Sequence, residues 1–254
     1  RFIPAFLELG GKDPAIVTRQ ADLPKATDAI IRSAVGMTGQ ACQSLERIYV
    51  DMEIVDEFTD NLLERLANVK LNWPDIEDGH IGPIIHAPQA KIIQTQLSEA
   101  ISDGATVIYG DGVMEHGGGL WCTPTVLTNI SHKMRLMKEE TFGPVIPIVA
   151  YHNIEEAIAL ANDTDFGLSA AVFCENQEEA IWIAERLTVG AISINDASLT
   201  SVVNDVEKNS FCYSGLGGSR MGDAGFTRFL RKRASLIQTA KPMSIDIFRE
   251  SDVR

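Results

Sequence analysis

Two side chains could together do covalent carbonyl chemistry. Glu8 sits in Leu7-Glu8-Leu9-Gly10-Gly11-Lys12-Asp13-Pro14, a carboxylate inside an apolar run just ahead of two glycines. The flanking leucines should draw it partly out of water, raise its pKa and suit it to act as a general base near neutrality. Cys42 sits in Gly39-Gln40-Ala41-Cys42-Gln43, where a glycine breaks a predicted helix, so its thiol should lie in an accessible turn. A thiolate there is a strong nucleophile, and backbone N–H groups at such a turn can lower its pKa. Taken singly, Glu8 also reads as an exposed strand-end charge and Cys42 as an inert, small buried residue.

Other chemistry-bearing types give weaker patterns. The five histidines show no metal spacing: His80 and His86 share a loop containing Gly and Pro with no cysteine near in sequence, so no metal is expected. Gly215-Leu216-Gly217-Gly218 lacks the third glycine of a dinucleotide fingerprint, Arg220 standing there, and is expected as a loop. Arg228–Arg233 (RFLRKR) reads as a helix face or a C-terminal charge cluster.

The elements that must position these residues alternate. Asp22 and Pro24 open a helix expected to run to Met37, and Ser44–Asp51 reads as a strand. Ile54, Val55, Phe58, Leu62, Leu66 and Val69 recur at helical spacing. A helix over Pro88–Ser102, strands at Thr106–Tyr109, Pro124–Thr128 and Val145–Tyr151, and helices at Ile154–Asn162 and Gln177–Leu187 follow, with short apolar runs at Ser169–Cys174 and Gly190–Asn195. This order predicts an α/β fold with a largely parallel sheet and flanking helices.

Composition sets the outer bounds. With 254 residues and 45% hydrophobic residues, the chain can bury a sizeable core. Against 22 Lys and Arg stand 35 Asp and Glu, giving a net charge of −13, which disfavours nucleic acid and anionic membranes as partners. The longest apolar runs fall far short of a membrane span. Four cysteines, Cys42, Cys122, Cys174 and Cys212, form no CxxC pair and suit a reducing, cytoplasmic compartment. Residue 1 is Arg and no charged-then-apolar leader follows, so the expectation is part of a longer protein without a signal peptide at this point.

The combination LELGGK (7–12), Gly39-Gln40-x-Cys42, KEETFGPV (138–145), Asn162-Asp163-Thr164 with Phe166-Gly167-Leu168, and GAISIN (190–195) resembles the aldehyde dehydrogenase superfamily along the whole chain. The resemblance implies oxidation of an aldehyde to a carboxylic acid with NAD or NADP. Cys42 would attack the carbonyl, the thiohemiacetal would yield a hydride to the cofactor, and Glu8 would activate the water that hydrolyses the resulting thioester. It further implies that Glu140 accepts hydrogen bonds from the nicotinamide-ribose hydroxyls, that Phe142 packs beside that ribose, and that Gly39, Gln40 and Asn195 support the active-site end of the sheet. Without the family, Glu140 is a solvated acidic turn, Phe142 a core aromatic and Asn195 a strand-terminating turn residue.

The same resemblance implies a catalytic domain over 1–240 and a tail over 241–254 in which Ser244–Phe248 adds a strand to a neighbour's sheet in a homo-dimer or tetramer. The dinucleotide-binding domain that precedes the catalytic one in the family is expected to be absent from this chain. With it go the phosphate-cradling glycine loop and an oxyanion-hole Asn, and loss of such a donor costs roughly 10²–10³ in rate, so the chain alone should be a poor dehydrogenase. Two departures bear on substrate: Gln43 follows the cysteine where many members have a small residue, and Gly215–Gly218, preceded by Glu207–Tyr213 (EKNSFCY), stands where many have Pro-Phe-Gly-Gly. Alternative readings are a coenzyme-A-acylating relative, which commonly lacks the glutamate, a cofactor-free thiol esterase, and a non-catalytic module.

Overall fold

The computed structural model describes residues 3–249. Thirteen strands run in chain order: β1 (Leu7–Glu8), β2 (Asp13–Val17), β3 (Leu45–Asp51), β4 (Thr106–Tyr109), β5 (Val113–His116), β6 (Gly119–Cys122), β7 (Thr125–Thr128), β8 (Val145–Tyr151), β9 (Phe166–Gly167), β10 (Ser169–Phe173), β11 (Ala191–Ile194), β12 (Phe211–Cys212) and β13 (Gly215–Leu216). The helices are α1 (Leu23–Val35), α2 (Val55–Leu66), α3 (Ala87–Ser102), α4 (Ile154–Asn162), α5 (Gln177–Ala184), α6 (Leu199–Val202) and α7 (Ala224–Thr227).

A seven-stranded sheet has the order β11-β10-β2-β3-β8-β7-β4, parallel throughout except for the antiparallel edge strand β4. Central strands β2 and β3 are buried at every position because helices cover both faces. On one face Ile30 and Ala34 of α1 meet Phe58, Leu62 and Leu66 of α2; on the other Ala157 and Ile158 of α4 join Ala180 and Ile183 of α5. Ile93 and Leu97 of α3 pack with Leu127 and Val145 in a third cluster. Local chemistry sets the helix starts: Asp22, Asn153 and Asn176 each accept a backbone N–H of the first turn through the side chain.

Several local features differ from expectation, among them the hairpin of β5 and β6 where the glycines of 110–119 are expected as loop. β2 has no counterpart in the predicted elements. α1 stops at Val35, because Met37, Thr38 and Gly39 then take the left-handed region in succession, with φ of 53°, 60° and 66°. Gly215-Leu216 is the strand β13 and not loop, pairing antiparallel with β1 in the register Glu8 to Gly215. The expected strand at Ser244–Phe248 is a single 3-10 turn over Ile245–Phe248. Ser244 Oγ accepts from Asp246 N at 3.2 Å, a local bond that competes with extended backbone where no sheet edge lies alongside. Arg228–Arg233 follows α7 as a charge cluster, half-buried at Arg228 and exposed from Phe229 on, and not as a helix face. The expected tail continues beyond residue 249, outside the described residues.

Candidate active site

Because the sheet is parallel, the turns entering β2, β3, β8 and β10 all reach its amino edge, and the candidate residues gather there. This is the end opposite to the carboxyl-end crevice where open α/β sheets usually bind ligands. Glu8 arrives on β1, which β13 holds; Leu9 N also donates to Ser214 O at 2.9 Å. Glycine is required at 215, since a Cβ there would stand 2.3 Å from Leu7 O. Contrary to the desolvation expected of it, Glu8 is exposed, and its Oε2 pairs with Arg220 Nη1 at 2.9 Å. The leucines beside it are themselves largely exposed, so they exclude little water.

Cys42 follows the left-handed run that ends α1. Met37 and Thr38, non-glycine residues in the left-handed region, are strained, and the surroundings over-determine them. Thr38 Oγ1 donates to Gly82 O at 2.9 Å and accepts from Gly82 N at 3.1 Å. Gly39 lies so close to the next loop that a Cβ would meet Gly143 C at 2.3 Å. Gln40 Oε1 accepts from Ile85 N at 2.8 Å and its Nε2 donates to Pro83 O at 3.2 Å. Gly39 and Gln40 therefore brace the turn that presents the thiol. Cys42 reaches solvent, as expected, but its pKa moves up rather than down: partial burial of the sulfur is the main cause, followed by the charges of Asp13 and Glu140.

Glu8 and Cys42 line one cavity of about 40 Å³, with Leu168, Lys208, Ser210 and Arg220 around it. That volume holds a few waters at most. The segment between the two residues is tightly fitted. A Cβ on Gly11 would stand 2.3 Å from Cys42 O, and one on Gly10 would stand 2.7 Å from Glu140 Oε2. The glycine pair thus lets the strand of Glu8, the turn of Cys42 and the Glu140 carboxylate approach one another.

Glu140 is half-buried, and its Oε1 accepts from Gly11 N at 2.9 Å. Burial pushes its pKa up, opposed by that hydrogen bond. The loop carrying it is fixed from beneath by Glu46, whose Oε2 accepts from Lys12 Nζ at 2.6 Å and Thr141 N at 2.8 Å, and whose Oε1 accepts from Phe142 N at 2.7 Å. Lys12 Nζ also donates to Thr141 Oγ1 at 2.9 Å. Burial holds the Lys12 pKa down. This network maintains Phe142 at φ 51°, its ring half-buried. Gln89 and Gln96 of α3 add donors to Thr141 O and Glu140 O at 2.7 and 3.2 Å.

Two more buried polar groups underlie the site. Asp13 accepts from Ser169 N at 3.1 Å and from Ser169 Oγ; burial lifts its pKa to about 8. Arg47 is fully buried and donates to Lys12 O at 2.8 Å and Ala161 O at 2.8 Å, tying β3 to β2 and α4.

Asn195 does not join this group. It follows β11 at the carboxyl edge of the sheet, where its Oδ1 accepts from Cys174 N at 2.9 Å and its Nδ2 donates to Cys174 O at 2.8 Å. With φ 53° it is the turn residue that ends the strand. The residues that sequence reasoning missed are Lys208 and Arg220 at the cavity and Glu46 and Asp13 beneath it. For the first two the only signal was the unfamiliar EKNSFCY stretch and the glycines after it.

Among the described residues, no group of three or more His, Cys, Asp or Glu is gathered to hold a metal, and no helix is long and apolar enough to cross a membrane. The Aldehyde dehydrogenase family pattern matches residues 1–235. The chain is 36% identical over 234 residues to lactaldehyde dehydrogenase of Escherichia coli, covering 92% of this chain and 48% of that protein. Among solved structures it is similar to PutA from Anabaena variabilis, at a TM-score of 0.92 and 52% identity over 96% of this chain and 52% of that one. It is also similar to betaine aldehyde dehydrogenase from Staphylococcus aureus in complex with NAD+, at a TM-score of 0.86 and 32% identity over 96% and 48%. The chain spans about half the length of these relatives.

Proposed function

The chain belongs to the aldehyde dehydrogenase family, and from that premise we propose that it carries the nucleophile and general base for oxidation of an aldehyde to a carboxylic acid with NAD or NADP. The observation that supports this most is that Glu8 and Cys42, far apart in sequence, line one cavity with the Glu140 loop lodged against the glycines between them.

In this reading Cys42 Sγ loses its proton and attacks the aldehyde carbon, forming the S–C bond while the carbonyl π pair moves to oxygen. The nicotinamide, when bound, supplies the acceptor for the hydride that leaves this carbon. Glu8 then takes a proton from water, whose oxygen attacks the thioester; the C–S bond breaks and Cys42 leaves as thiolate. Burial holds the Cys42 thiol pKa up, and Glu8 also serves as its first proton acceptor.

The residues present fit the nicotinamide-ribose end of the cofactor. Glu140 offers a carboxylate oxygen beside a backbone without side chains at Gly10 and Gly11, and Phe142 a half-buried ring. The rest of the dinucleotide would be held by an N-terminal domain outside this chain. We assign 1–240 to the catalytic domain and 241–254 to assembly of two or four copies. Exposed Met243, Ile245 and Phe248 support that role. The free cysteines support a cytoplasmic setting.

The test is single-turnover and steady-state acid production by the polypeptide that combines this chain with its nucleotide-binding domain. Cys42→Ser should abolish reduction of the cofactor. Glu8→Gln should retain a first burst of reduction while acid release becomes slow; full turnover in either variant overturns the assignment. Because a coenzyme-A-acylating enzyme has no use for a water-activating base, retention of Glu8 favours hydrolysis.

A further inference from the structure

The cavity beside Cys42 holds more positive charge than the reaction uses. Lys208 and Arg220 enter it from the segment whose sequence departs from the family's pattern. Their placement is built. Ser219 is 4% exposed, and its Oγ accepts from Lys208 N at 3.0 Å and Met221 N at 3.0 Å while donating to Met221 O at 3.2 Å. Gly222 N closes the same fold-back on Asn204 O at 2.8 Å. One buried hydroxyl thus clamps the stretch carrying Lys208 to the stretch carrying Arg220.

The two cations are unequally satisfied. Arg220 is engaged with Glu8. Lys208 Nζ is shut off from solvent and has no hydrogen-bond partner among the described residues. An enclosed ammonium without an acceptor is costly, and that cost is relieved when an acceptor arrives. Burial first, and then the charge of Arg220, hold its pKa down, while Glu8 and Cys42 pull it up. Of the charged side chains that line the cavity, Glu8 and Arg220 neutralise each other and leave Lys208 unmatched, while Asp13 and Glu140 act on the thiol from outside that lining, in a chain whose net charge is −13. Attraction of an anion to that point cannot be explained by the protein's overall field.

Resting on the dehydrogenase reading above, we propose that Lys208, seconded by Arg220, binds an anionic group at the far end of the substrate, so that the aldehyde this site takes is a short one bearing a carboxylate or a phosphate. The small cavity shared with Cys42 sets the reach: the anion sits a few atoms from the carbonyl carbon. It also gives Arg220 an alternative to Glu8, so that an arriving anion loosens the ion pair that holds the base.

Iodoacetate and iodoacetamide test this on the chain itself, because they are nearly the same size and differ in charge. The rate of Cys42 alkylation by each, mapped by peptide mass spectrometry, is divided by the rate for the same cysteine in the urea-unfolded chain. The folded site should favour the anion by roughly fivefold, the scale of one partly screened charge pair. Lys208→Met should erase the preference and leave the iodoacetamide rate within about twofold, whereas Lys208→Arg should keep it. No preference in the wild-type chain overturns the proposal, as does an equal loss for both reagents in Lys208→Met, which would make the lysine a regulator of the thiol.

A second measurement does not depend on the thiol. In Cys42→Ser, saturating succinic semialdehyde or glycolaldehyde phosphate should raise the thermal unfolding midpoint and butanal should not, the shift vanishing when Lys208→Met is added. Which anion gives the larger shift separates carboxylate from phosphate; a shift with neither refutes the anion site. Failure of Cys42 to react with either reagent while these shifts persist would instead count against the dehydrogenase reading alone.

Discussion

Glu46 and Glu8 are both carboxylates of the candidate site, yet they are built into the protein in different ways. The Glu46 side chain is 2% exposed and takes Lys12 and the backbone of Thr141 and Phe142 on its two oxygens. The Glu8 side chain is 44% exposed and holds Arg220, itself 51% exposed, with the unmatched Lys208 beside them. A buried group with every oxygen committed fixes one loop in one place, because leaving it for water is not an option. A half-exposed pair trades partners at little cost, water being the substitute. The floor of the site is thus a template, and its mouth is a set of charges free to regroup around a ligand.

Cutting the floor should cost most. Glu46→Ala strands the Lys12 ammonium in the interior and should lower unfolding free energy by about 3–5 kcal/mol in urea titration. A loss below about 1 kcal/mol would mean that Lys12 finds water there, and the contrast with the mouth would collapse. Gly11→Ala comes next: its methyl would press on Cys42 O, a backbone atom that cannot swing aside, for about 1–3 kcal/mol and a changed alkylation rate at Cys42.

Asp13→Asn sharpens the comparison through pH. The folded pKa of about 8 lies above the unfolded value of 3.8, so between these limits the folded chain keeps a proton that the unfolded chain releases. Stability from this group is therefore greatest in acid and declines as pH rises toward 8. The Asn variant should show a flatter profile, the difference staying below the ~1.4 kcal/mol per pH unit that one proton permits. It should also bring the Cys42 titration down, since the Asp13 charge helps to raise it. At the mouth, Arg220→Gln should change stability by less than about 1 kcal/mol. A larger loss would show that the Glu8 pair is structural and not exchangeable.

Much of the fold was legible from helical spacing and from the length of apolar runs. α2 and α3 keep helical spacing, and β8 is an apolar run bounded by turns. β2 was not, because Asp13 and Pro14 open it and leave only the short apolar run Ala15-Ile16-Val17, whereas β3 and β8, also largely buried, run to 7 residues. Cys42 and Glu8 were singled out by residue type and motif, and the fold brings both to one cavity. Lys208 and Arg220 were not, since their meeting with Glu8 depends on β13 pairing with β1 across almost the whole chain. Asn195 illustrates the reverse case: in a parallel sheet a residue that follows a strand cannot share an edge with one that precedes its neighbour, so its distance from Cys42 followed from strand direction alone.

The pairing of β1 with β13 also imposes an order of manufacture. A ribosome releases β1, the Cys42 turn and strands β2 and β3 early, and these can begin to assemble while the rest of the chain is still being made. β1 must wait for Gly215 and Leu216 before it has a strand to dock against. The Cys42 turn therefore precedes the seating of Glu8 during biosynthesis, and synthesis interrupted shortly before residue 215 yields the thiol without the strand that holds Glu8.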